Sequence, residues 1–350
     1  MMPIESPHLF VVEALRDAAQ FCRRVKDQAP EMTLAEEADE QVNLLTNLIS
    51  VFTFMATAEG RDPRIDGSHT AEIDRIPCLP NRAFSCTPIF IIGSRRSGTT
   101  LLAQLINASS NVFALPENWL AGTVASCDPL IAIGHTLKRT LREPFPSYLF
   151  RLGRMCDELY GDLARGHGKS RWLSKELFIS HRLDLLDAMF DYRPLYVYAV
   201  RHGFDVAESC SARFAARDGV PLNNATSLNL ESYLREWVSN NESTKSFYDR
   251  NRDRCLMVRY EDLIQHPHRE GRLLFEFLGE RWTNETLSDL GNHYLAPGMG
   301  DNKIYGLSGK IIRSESRWRS SWPQPLRATL GRLANPMLGE LGYEVVATDT

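Results

Sequence analysis

The sequence predicts an α/β protein: a parallel sheet built from βαβ units and flanked by helices, with an N-terminal helical extension. Three observations carry that expectation. Short continuous apolar runs at Pro88–Ile92, Leu195–Val200 and Cys255–Tyr260 are rich in β-branched and aromatic residues, as strands covered on both faces are. Helical periodicity lies between and beyond them, at Leu101–Ala108, Leu183–Phe190, Glu231–Tyr248 and Glu270–Leu278, and such alternation requires parallel crossovers. The composition is that of a globular chain: 350 residues, 43% hydrophobic and 24% charged. Disordered, collagen-like and coiled-coil classes are thereby excluded.

Residues 1–85 read as a helical extension and a connector. Thr33-Leu-Ala-Glu36 is a capping box, Gly60 stands where a left-handed C-terminal residue belongs, and a helix over 33–59 is expected between them. Its stripe of Leu44, Leu45, Leu48, Phe52 and Met55 suits packing on the main domain, with a homodimer contact or a substrate lid as the sharper alternative. Pro63, Gly67, Pro77 and Pro80 then mark a connector. The α/β domain is expected over 86–345, with a helical insertion at about 120–174.

The chain carries 40 Lys+Arg against 44 Asp+Glu, a net charge of -4, which gives no reason to expect nucleic acid or an anionic membrane as partner. Leu44–Ala58 is interrupted by Thr46, Asn47, Ser50 and Thr53, so it falls short of the ~20 apolar residues of a membrane span. No secretory signal is visible at the N-terminus. Seven dispersed cysteines without a C-x-x-C read as reduced thiols, and no metal-ligand cluster is present. A cytoplasmic enzyme is expected.

The loop after the first strand is the most informative segment. Ile91-Ile-Gly93-Ser-Arg-Arg-Ser-Gly98-Thr-Thr100 runs from an apolar strand through a turn with glycine at both ends into a helix. That context suits an anion: inward N–H groups, close backbone approach and the positive end of a helix dipole. Arg95 and Arg96 add cations, and Ser97, Gly98, Thr99 and Thr100 add backbone N–H and hydroxyl donors. A nucleoside triphosphatase loop would have lysine after its second glycine, and Thr99 stands there instead. A small-molecule kinase is therefore disfavoured, and a non-catalytic nucleotide-binding scaffold is the other alternative.

Ser94-Arg-Arg-Ser-Gly-Thr-Thr-Leu-Leu102 resembles the 5′-phosphosulfate loop of sulfotransferases that use 3′-phosphoadenosine-5′-phosphosulfate (PAPS), above all bacterial members and tyrosylprotein sulfotransferases. Val200-Arg-His-Gly-Phe-Asp-Val-Ala-Glu-Ser209 is similar to the strand-to-helix segment whose Arg and Ser bind the 3′-phosphate, here Arg201 and Ser209. Val258-Arg-Tyr260-Glu-Asp-Leu resembles the strand whose tyrosine faces the nucleotide, and Gly306-Leu-Ser-Gly-Lys310 a late loop that closes on the phosphates, which implies Ser308 and Lys310 as contacts. The resemblance spans roughly residues 86–345 and implies a P-loop-like fold with PAPS as donor and no metal. Arg201 also stands by itself at the end of an apolar strand, where doubly wound sheets gather anions, though an ion pair with Asp205 is an alternative.

Sulfuryl transfer needs charge neutralised on the leaving phosphate, acceptor and sulfur aligned, and one proton removed. Arg96 with Thr99 and Thr100 suits the first task. The resemblance implies Glu117 as base, in Ala114-Leu-Pro-Glu-Asn-Trp119, with His135 as the fallback on the histidine-dependent pattern. It implies Lys175 as a contact to the transferring group, although the usual K-x-P is Lys175-Glu-Leu177 here. Protein-sulfating members carry a signal anchor and none is found, so a small intracellular acceptor is expected.

Overall fold

The computed structural model describes residues 84–115, 145–217, 227–283, 285–288 and 316–348. The helix expected over 33–59 and its dimer contact lie outside these residues, as do Glu117, His135, Ser308 and Lys310. A five-stranded parallel sheet forms the centre: β1 (Ile89–Gly93), β2 (Val112–Ala114), β3 (Arg171–Lys175), β4 (Leu195–Val200) and β5 (Cys255–Arg259), in the order β2-β3-β1-β4-β5. The helices are α1 (Thr99–Asn107), α2 (Phe145–Gly166), α3 (Leu183–Met189), α4 (Gly203–Arg217), α5 (Ser227–Arg250), α6 (Tyr260–Gln265), α7 (Pro267–Leu278), α8 (Glu285–Ser288), α9 (Trp318–Ser321) and α10 (Gln324–Glu340).

The three apolar runs form β1, β4 and β5, side by side. β2 and β3 complete the sheet. Neither has a long apolar run: β2 is three residues, and β3 begins with Arg171 and ends with Lys175. Arg171–Ser174 therefore belong to the sheet, so the segment expected to be a helical insertion up to about 174 ends in a strand preceded by α2.

Strand alternation sorts the core into two layers. Ile89, Ile91, Val197 and Ala199 point with Leu102, Leu105 and Ile106 of α1 and Leu274 and Phe275 of α7 into one buried layer. Phe90 points the other way into an aromatic layer, with ring centroids 5.6 Å from Trp172, 5.2 Å from Phe190 and 5.8 Å from Tyr196. Removing the fully buried Phe90 ring would destabilise the fold by ~3–5 kcal/mol. Lys169 closes the far end of α1. Its Nζ donates to the carbonyl of Asn107 (2.5 Å), which the helix end leaves without an intrahelical partner, and to those of Ser109 (3.0 Å) and Val112 (2.9 Å) in the segment that follows. Burial pushes Lys169 down to about 8, against the opposing pull of Glu280.

Candidate active site

β1 and β4 run parallel with Gly93 beside Ala199, so the turns that follow them emerge at the same edge of the sheet. The first turn is shaped by its backbone. Gly93 (φ 127°), Arg96 (φ 64°) and Gly98 (φ 83°) all take positive φ. A Cβ at Gly93 would lie 2.3 Å from the Ala199 carbonyl oxygen, so only glycine fits there. Gly98 is the left-handed N-cap of α1, and its carbonyl accepts from Leu102 N at 3.0 Å. The N–H groups ahead of Leu102 have no partner within the helix, and they open toward the turn.

Ser97 lies inside this turn, 2% exposed, and its Oγ has no hydrogen-bond partner among the described residues. A buried hydroxyl left unpaired is costly, and an anion seated on the turn would satisfy it. Thr99 is buried and Thr100 partly so; Thr100 Oγ1 accepts from Lys175 Nζ at 3.4 Å. Lys175 is 1% exposed at the end of β3, which brings its ammonium to the start of α1. Glu176, next to Lys175, continues the sheet pairing: its N–H donates to Ile91 O at 2.9 Å and its carboxylate accepts from Ser174 Oγ at 2.9 Å.

The two arginines of the turn go separate ways. Arg95 pairs with Glu236 of α5 at 2.5 Å and lies over the Tyr233 ring. Arg96 Nε donates to Ser209 Oγ at 3.0 Å. Its carbonyl accepts from Arg201 Nη1 at 3.0 Å, so the two turns are joined in both directions. The Arg201 guanidinium lies 4.6 Å over the Tyr260 ring, a cation–π contact, and only 3.9 Å from Asp205. Tyr260 opens α6 rather than ending the strand, and its ring packs against Gly98.

The second turn is held by side chains from distant segments. Trp237 Nε1 donates to the Arg201 carbonyl at 3.2 Å, and the N–H of His202 donates to Glu261 at 3.0 Å. The other oxygen of Glu261 accepts from Tyr343 OH at 2.7 Å. His202 Nδ1 accepts from Phe204 N at 3.2 Å, and its ring stacks on Trp318 at 5.0 Å. Burial pushes His202 down to about 4; Arg319, Arg259 and Arg201 act the same way and Asp205 opposes. A neutral ring follows, free to accept at Nδ1. Cys210, next to Ser209, is an inert thiol that burial pushes up to about 11.

The structure thus gathers Arg96, Ser97, Gly98, Thr99, Thr100, Lys175, Arg201, Ser209 and Tyr260 at one edge of the sheet. The sequence did not point to Glu236 or Trp318, which belong to no recognisable motif, and it gave no role to His202 although that residue lies within Val200–Ser209; each is placed by tertiary packing. Among the described residues no cluster of His, Cys, Asp and Glu could hold a metal ion, and no helix is long and apolar enough to cross a membrane.

Residues 88–284 match the family model described as "Sulfotransferase family". The chain is similar to "Protein-tyrosine sulfotransferase 1" of Danio rerio, 24% identical over 265 residues that cover 73% of this chain and 72% of that protein. Against "Protein-tyrosine sulfotransferase 2" of Gallus gallus the identity is 25% over 269 residues, covering 74% and 70%. Among solved structures, sulfotransferase STF9 from Mycobacterium avium covers 95% of this chain and 92% of its own, with a TM-score of 0.50 and 13% identity, a likeness of fold alone.

Proposed function

The chain belongs to the sulfotransferase family, and we propose that it moves a sulfuryl group from PAPS to a hydroxyl or amine of a small acceptor, a natural product or a carbohydrate. The observation that carries this reading is the pair of linked turns: Arg96 bonded to Ser209, and Arg201 bonded to Arg96. They make two adjacent anion stations, as a nucleotide with separate 3′- and 5′-phosphates requires. The orphaned hydroxyl of Ser97 and the open N–H groups of α1 fit the 5′ station.

PAPS, when bound, supplies the sulfuryl group on a phosphate leaving group. Arg96 and the α1 N–H groups hold the 5′ end and offset the charge that develops on the phosphate side as the bond to sulfur breaks. Lys175, which reaches Thr100, is assigned to the same developing charge. Arg201 and Ser209 hold the 3′-phosphate. Glu117 is assigned to accept the proton of the attacking hydroxyl or amine, and Ser308 and Lys310 to close over the phosphates. With Arg96, Lys175 and Arg201 as the cations, the residues named here require no metal.

Calorimetry with adenosine 3′,5′-bisphosphate (PAP) and adenosine 5′-monophosphate (AMP) tests the donor assignment. PAP should bind at least ~10-fold more tightly, the effect of a charge-assisted contact worth ~1.5–3 kcal/mol, and equal affinity would remove it. A mass-resolved acceptor screen with PAPS, including tyrosine peptides beside alcohols and amines, decides the acceptor class. Glu117→Gln should lower kcat by ~10²–10⁴-fold with nucleotide affinity retained. Wild-type turnover in that variant, with loss in His135→Ala, would hand the proton to the histidine.

A further inference from the structure

Asp205 stands in the first turn of α4, four residues after Arg201 and 5% exposed. Its carboxylate faces more than its own helix. Oδ2 accepts from Ser316 Oγ at 3.1 Å and from Trp318 Nε1 at 3.2 Å. Oδ1 lies 3.9 Å from Arg201 Nη2, and His202 Nδ1 is 4.0 Å from Oδ2. The approach to Arg201 is too long for a hydrogen bond, so it acts as a charge beside a charge where little water screens it. Glu208, one turn further along α4, takes the backbone N–H of Trp318 and lies 4.0 Å from Arg317. The Trp318 ring stacks on His202 and meets Phe204 edge-on at 4.9 Å. Residues 316–318 are therefore clasped to α4 at several points, and the clasp fixes the carboxylate that faces Arg201.

We propose that Asp205 is a positioning residue: it holds the Arg201 guanidinium in place for the 3′-phosphate, and it is itself held by Ser316 and Trp318. The inference rests on the reading that Arg201 binds that phosphate. By its charge alone a carboxylate beside an anion site opposes the anion, so the sign of its effect separates the two roles. If Asp205 acted only as a charge, neutralising it would tighten PAP. As a positioning group its neutralisation loosens PAP, because Arg201 loses the charge beside it that helps to order its guanidinium. Ordering a long side chain afresh on binding typically weakens affinity by about 3–10-fold. AMP, which has no 3′-phosphate, should not register the change.

Calorimetry of PAP and AMP on the wild type, Arg201→Ala, Asp205→Asn and Trp318→Phe tests this. Arg201→Ala decides the underlying reading: the preference for PAP should collapse, and its persistence would overturn the assignment of Arg201 itself. With that preference confirmed as Arg201-dependent, Asp205→Asn should lower it by about 3–10-fold with AMP affinity unchanged. Trp318→Phe keeps an aromatic ring against His202 but removes the N–H donor together with part of the ring; it should lower the preference in the same direction by less. An unchanged or raised preference in Asp205→Asn overturns the proposal, as does equal weakening of both nucleotides, which a merely structural carboxylate would give. Should Asp205→Asn fail to fold, Trp318→Phe carries the same test, and an unchanged preference there overturns it.

Discussion

The turn after β1 and the turn after β4 sit side by side at the same edge of the sheet and are built on opposite principles. The first is held by its own backbone. Three positive φ angles fall within six residues, two of them at glycines, and the third is at Arg96, whose strain is offset by the hydrogen bond from Arg201 to its carbonyl. The second has no positive φ from Arg201 to Gly203 and is held by side chains 36 to 141 positions away, from Trp237 to Tyr343 by way of Glu261. A turn of the first kind needs particular residues at particular places. A turn of the second kind needs particular neighbours, and many sequences could supply them.

That contrast can be broken from either side. Arg96→Ala should have the largest effect, because it removes the cation proposed to meet the 5′ end of the donor and the partner of Ser209 together. A fall of ~10²–10³-fold in kcat, with weaker PAP binding, is expected for the loss of a group aimed at developing charge; steady-state kinetics with calorimetry would show it, and unchanged kcat would confine Arg96 to shaping the turn. Gly93→Ala attacks the backbone instead. Its Cβ would meet the Ala199 carbonyl at 2.3 Å with φ at 127°, and neither strand can yield, so a loss of stability on the order of 3 kcal/mol in urea denaturation follows. A loss under ~1 kcal/mol would mean that β1 and β4 can separate there.

The second turn should reveal itself through pH. His202 is pushed down to about 4 in the folded protein and returns to an ordinary histidine when unfolded. Between those values the unfolded chain binds a proton that the folded one does not. Stability is therefore fully present above about 6.5 and is lost as pH falls through 6 and 5, by on the order of 2 kcal/mol at pH 5. Urea midpoints at pH 8 and pH 5, on the wild type and on His202→Gln, isolate this contribution from that of the carboxylates. Equal losses in both proteins would show that His202 takes a proton without disturbing Trp318.

β1 and β4 were legible because burial on both faces demands a continuous apolar run, at Ile89–Ile92 and Leu195–Val200, and the edge strand β5 was legible from the same kind of run at Cys255–Val258. β2 and β3 were not, since a three-residue strand and one with charged ends leave too little pattern. The same divide runs through the site. Gly93, Gly98 and the residues between them were visible because a tight strand-to-helix turn fixes residue types at short spacing; Arg201 was visible at a strand end, and Ser209 only through the family resemblance. Lys175 was pointed to by resemblance, while its burial at the end of β3 against Thr100 is a product of strand order.

By itself, then, the sequence determined the parallel α/β class and the glycine-flanked first turn with its residue types. These follow from steric and burial requirements that act over a few residues. Only the tertiary structure decided that Arg95 would be met by Glu236, that Tyr260 would lie between Gly98 and Arg201, and that Trp318 would close on His202 and Asp205. The physical reason is that these contacts join side chains from elements far apart in the chain. Their partners are chosen by where whole helices and strands pack, and no local pattern of residues encodes that choice.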